Sequence, residues 1–93
     1  MGIAAALERS EPLARLRAAL QDSRARLDAV RPVLPPSLLP YVQPGPVDAD
    51  GWSLLAQNAG VAAKLRHLKP RLEEALRTAG WTQPAVRIKV TSR

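Results

Sequence analysis

The amino-acid sequence predicts an α+β fold in which an N-terminal helix, a β-hairpin, a long helix and a closing strand build a small three-stranded sheet with the helices packed on one face. Apolar residues recur at three- and four-residue spacings in two long segments, the period of a helix with one buried stripe. Trp52-Ser53-Leu54-Leu55-Ala56 and Val86-Arg87-Ile88-Lys89-Val90 carry apolar residues at alternate positions, the period of a strand with one buried face. Proline and glycine clusters punctuate these segments.

The N-terminal region reads as two helical pieces separated by Ser10-Glu11-Pro12, where Ser10 or Glu11 can cap and Pro12 suits the first helical position. In the second piece Leu13, Leu16, Leu20, Leu27 and Val30 follow spacings of three, four and seven, with Arg15, Arg17, Asp22, Arg24, Arg26 and Asp28 on the remaining surface. That pattern predicts an amphipathic helix of about twenty residues packed on its own domain. A helical homodimer is the other reading, because Leu13, Leu20 and Leu27 are seven apart, although Ser23 interrupts the repeat. Pro32 ends the helix, and Leu34-Pro35-Pro36-Ser37-Leu38-Leu39-Pro40 cannot continue it.

Tyr41-Val42-Gln43 begins a strand, which Pro44 and Pro46 confine to a sheet edge because neither can donate to a ladder. Asp48-Ala49-Asp50-Gly51 predicts a turn with Gly51 free to take positive φ, pairing this strand with Trp52–Gln57 as a hairpin. A calcium-loop reading of Asp-x-Asp-Gly fails, since the carboxylate it needs at loop position twelve falls on Ala59. Asn58 should cap the next helix, whose stripe is Val61, Leu65, Leu68, Leu72, Leu76 and Ala79, and Gly80 should stop it. Pro70 sits in the middle and must kink that helix or split it in two. Trp81 is expected to fold onto the core from the loop before the last strand.

With 93 residues and 46% hydrophobic content, the chain fits one domain over 1–93, with 1–32 as an N-terminal helical segment and 33–93 as the α+β core. The absence of cysteine excludes disulfides and thiolate metal sites, and one histidine removes the usual zinc arrangements, so no metal or other cofactor is expected. The start lacks a basic flank and the length of a signal peptide, and no run of about 18 apolar residues occurs, so a cytoplasmic protein without membrane contact is expected. The net charge of +6 is unevenly placed: residues 61–93 hold eight Lys or Arg against Glu73 and Glu74. A positive field of that density favours polyanions, or an acidic protein surface, although Arg-rich and Ala-rich chains also carry simple solvated basic surfaces.

Catalytic chemistry finds little support. The sole candidate base, His67, stands near Lys69 and Arg71 with only Glu74 as an orienting carboxylate, and the glycines are separate turn or cap residues, not a phosphate loop. The chain is expected not to be an enzyme.

Leu34-Pro35-Pro36, Leu54, the Asn58 region, Leu65-Arg66-His67-Leu68-Lys69-Pro70 and the alternating strand Val86–Val90 together resemble the DciA-like family of bacterial proteins over about residues 27–91. The resemblance implies a KH-like α+β domain and a role at the replicative helicase, where family members recruit or load the DnaB-type ring and contact DNA. Three departures stand out. The family's helix tryptophan falls on Val61, the flexible basic extension that many members carry after the last strand has no counterpart here, and His67-Leu68-Lys69-Pro70 stands where a nucleic-acid-gripping KH domain has its Gly-x-x-Gly loop.

Two functional readings emerge. The first is a non-enzymatic, helicase-associated module that binds DNA or RNA through phosphates on Lys64, Arg66, Lys69, Arg71, Arg77, Arg87 and Lys89. The second is a protein-interaction domain whose basic surface docks an acidic partner without touching nucleic acid. Self-association through the Leu13–Val30 helix is compatible with both.

Overall fold

The structure is a computed structural model that describes residues 11–91; the expected helical piece before Ser10 lies outside them. Helix α1 spans Glu11–Val30 and passes through two 3-10 turns, Arg31–Val33 and Leu39–Tyr41, into strand β1, Val42–Asp48. Strand β2 follows at Gly51–Ala56, helix α2 at Ala59–Thr78 and strand β3 at Val86–Val90. The fold is α+β, with two α-helices and one mixed sheet in the order β1-β2-β3 among the described residues. β1 and β2 are antiparallel, β2 and β3 parallel. The parallel pair requires a crossover, and α2 supplies it.

Local chemistry accounts for each boundary. The register shifts between Pro44 and Val47, so the two prolines sit at an irregularity of an edge strand. Gly51 turns the hairpin with φ of +127°, and a Cβ there would lie 2.5 Å from the carbonyl oxygen of Ala85, so only glycine fits between the hairpin and the start of β3. Asn58 caps α2 by accepting from the Val61 N–H at 2.9 Å. Gly80, with φ of +108°, follows its end.

Helix α2 continues through Pro70 without splitting. Pro70 has no N–H to give the Arg66 carbonyl, but it lies on the exposed side, where water can take the lost bond. No second helix opens at Pro70, and no loop interrupts 67–70.

The core lies between α2, the second half of α1 and one face of the sheet. Trp52, Leu54, Leu65, Leu72, Leu76, Val30 and Val86 are its large fully buried side chains, with Leu34 and Leu38 sealing the end that the proline segment crosses. Leu68 and Trp81 pack against this cluster partly buried, whereas Ala79 is exposed, so the α2 stripe ends at Leu76.

The stripe on α1 departs from expectation. Leu13, Leu16 and Leu20 are 64%, 55% and 61% exposed, while Ser23, Arg26 and Val30 are buried. The reason is one of reach: the second half of the helix fills the space beside β1 and α2, and the first half runs past it. Ser23 is buried because it joins two polar groups, accepting from the Trp52 indole N–H at 2.9 Å and donating to the Gly45 carbonyl at 2.6 Å. Arg26 is buried because it donates to Asp22 and to the Gln83 carbonyl and lies over the Trp81 ring, 5.4 Å from its centroid. Trp81 in turn donates to Asp22 at 2.9 Å. These contacts fasten α1 to the loop that leads into β3. No helix among the described residues is long and apolar enough to cross a membrane.

Candidate nucleic-acid interface

The seven cations proposed from the sequence fall on two separate surfaces. Lys64, Arg66, Lys69, Arg71 and Arg77 ride on α2, which covers the core face of the sheet. Arg87 and Lys89 point from β3 to the opposite face, because Val86 and Ile88 between them pack on the core. A contact that flattens onto α2 therefore does not reach Arg87.

Pairing divides the set further. Arg77 donates to Glu74 at 2.7 Å, which also occupies the one carboxylate offered as an orienter for exposed His67. Arg87 crosses to Asp48 at 2.6 Å and approaches Asp50 at 3.7 Å. Its Nε is buried without a hydrogen-bond partner, beside the equally unpartnered hydroxyl of Ser53, its neighbour in the β2–β3 register. Ser53, expected on the open side of the sheet, is fully buried. Arg87 is its partner in the β3 register, and the Arg87–Asp48 link runs across β2 on this same side of the sheet.

Asp48 responds to this setting. Its carboxyl is held below the ordinary carboxylate range, chiefly because it accepts the Asp50 backbone N–H; desolvation opposes this, and the Arg87 guanidinium and then Lys89 add to the lowering.

Lys64, Arg66, Lys69 and Arg71 are different. Each carboxylate among the described residues is engaged elsewhere: Glu11 with Arg15, Asp22 with Arg26 and Trp81, Asp28 with Arg31, Asp48 and Asp50 with Arg87, Glu74 with Arg77, and Glu73 with the Val86 N–H. None pairs with these four cations. Helical spacing arranges them in two rows flanking the exposed crest. Lys64 and Arg71 lie seven apart on one flank with His67 between them, and Arg66 and Lys69 lie on the other, aligned with Glu73. Lys69 is half-buried and the other three are exposed; Lys89, on the far face, is exposed and likewise unpaired among the described residues.

The Ser23–Trp52 link and the Arg26–Trp81 stack escaped the sequence reading. Only the placement of Ser and Arg on a helix face that otherwise carries Leu and Val pointed to them. Searches of protein-family models, curated proteins and solved structures find no match to this chain.

Proposed function

We propose that this chain is a non-enzymatic binding module that holds nucleic acid through its phosphates along the exposed side of α2 and, as the resemblance to DciA-like proteins implies, works in association with a replicative helicase. The observation that carries the reading is the set of four cations, Lys64, Arg66, Lys69 and Arg71, on one unbroken helix with every described carboxylate committed elsewhere. Among the described residues nothing cancels their charge, and it is available to a polyanion. Arg87 and Arg77 are withdrawn from the contact by their own partners, which leaves a smaller interface than the sequence suggested. A KH-like identity belongs to the same proposal. Gripping by a Gly-x-x-Gly loop does not, because 67–70 is helical.

The test is a fluorescence-anisotropy titration of single-stranded DNA at several salt concentrations. Four phosphate contacts give a slope of about −3 for log K against log salt on a single strand, and each Lys or Arg replaced by Ala on α2 removes about 0.7 of it. No binding at ~50 mM salt would defeat the proposal. Docking of an acidic protein on the same side of α2 is the competing outcome. It is recognised when charge reversal at Lys64 and Arg71 abolishes helicase pull-down while the unmodified protein shows no affinity for DNA.

A further inference from the structure

The parallel ladder sets which backbone groups of β3 are used. Trp52 N–H donates to the Ala85 carbonyl and Thr91 N–H to the Ala56 carbonyl, so residues 85, 87, 89 and 91 direct their backbone at β2. Val86, Ile88 and Val90 therefore direct theirs away from the sheet, and the strand order leaves no described strand on that side. One outward group is closed off: Glu73 on α2 accepts the Val86 N–H at 2.9 Å. The N–H groups of Ile88 and Val90 and the carbonyls of Val86 and Ile88 make up an open edge.

Charge surrounds that edge. Lys89 stands exposed on the outer face between Ile88 and Val90. On the inner face α2 runs antiparallel to β3, as a crossover between parallel strands must. Counting back from Glu73 beside Val86, at about 1.5 Å per helical residue against 3.3 Å per strand residue, brings Lys69 level with Ile88 and Arg66 level with Lys89. Ile88 and Val90, the latter 42% exposed, supply an apolar strip between these cations.

We infer that β3 is a docking edge for an extended segment of a partner protein that alternates apolar and acidic residues. The segment adds as a fourth strand, its backbone pairing with Ile88 and Val90, its apolar side chains continuing the Ile88–Val90 strip and its carboxylates meeting Lys89. A second copy of β3 is a poorer occupant. Antiparallel pairing centred on Ile88 would set Arg87 of one copy opposite Lys89 of the other, and like charges directly opposed destabilise a sheet. This inference does not depend on nucleic-acid binding along α2.

The probe is a fluorescein-labelled heptapeptide alternating valine and glutamate, with a valine–lysine peptide as control, titrated against the full chain. The expected dissociation constant is in the range of about 10–100 μM, with the lysine peptide at least about tenfold weaker. Val90→Pro deletes an outward N–H while keeping the β2–β3 ladder, and should weaken the glutamate peptide by about tenfold or more without changing the circular-dichroism spectrum. Lys89→Glu, at an exposed site, should weaken it similarly and serves as the test if Val90→Pro fails to fold. Slowed hydrogen exchange at the Ile88 and Val90 amides on binding gives an independent readout. Equal affinity for both peptides, unaltered affinity in both variants, or a sedimentation dimer that Val90→Pro dissolves would each overturn the inference.

Discussion

Arg87 on β3 donates to Asp48 on β1, the opposite edge of the sheet, with Nη2 2.6 Å from Oδ2. The link spans the central strand where Gly51 presents no side chain and Ser53 a small one. It makes Arg87 a strut of the fold, although its place in the alternating strand groups it with the basic surface.

Arg87→Ala should lower stability by about 1 kcal/mol or less, measured by urea denaturation, because it removes the link across the sheet and leaves Asp48 and Asp50 side by side, while solvent screening of a one-third exposed side chain keeps the loss small. The salt slope for DNA should be unchanged, in contrast to Lys64→Ala or Arg71→Ala.

The Asp48 carboxyl is depressed in the folded chain, so its contribution to stability is fully present above the ordinary Asp range near pH 4 and is lost as pH falls through the lower, folded value. Acid unfolding followed by circular dichroism should therefore steepen below about pH 4, and Asp48→Asn should flatten that limb while leaving the profile between about pH 5 and 8 parallel to that of the parent protein.

Ser53→Ala removes a buried hydroxyl that has no hydrogen-bond partner. A gain of about 1 kcal/mol in unfolding free energy is expected, and a loss of that size would show that the hydroxyl is satisfied in solution.

Two α1 substitutions should behave oppositely to what their residue types suggest. Ser23→Ala orphans the buried Trp52 indole N–H and should cost about 1–3 kcal/mol, whereas Leu16→Ala, on the exposed half of the helix, should stay within about 0.5 kcal/mol. Thermal melts of the two variants check both. A large loss for Leu16→Ala that depends on protein concentration would reveal self-association through this face.

Much of the architecture was legible because it depends on near neighbours in the chain. The Asn58 cap, Gly51 and Gly80 at positive φ, the edge strand marked by Pro44 and Pro46, and the Leu65, Leu72 and Leu76 stripe each follow from the chemistry of a few consecutive residues. The candidate site was legible only in part. Lys64, Arg66, Lys69 and Arg71 could be grouped because one helix carries them, but the pairing of Arg87 with Asp48 joins residues 39 positions apart.

Residue identity and period by themselves determined the α+β class, the order of elements and the positive charge of the last third, since backbone preference, hydrophobic spacing and net charge are properties of short segments. Tertiary structure alone decided that Leu13, Leu16 and Leu20 face solvent, that Ser23 and Arg26 do not, that the cations divide between two faces, and that β3 lies at the edge of the described strands. Those outcomes depend on which surfaces meet once the sheet has closed, and contact between distant segments leaves no periodicity to read.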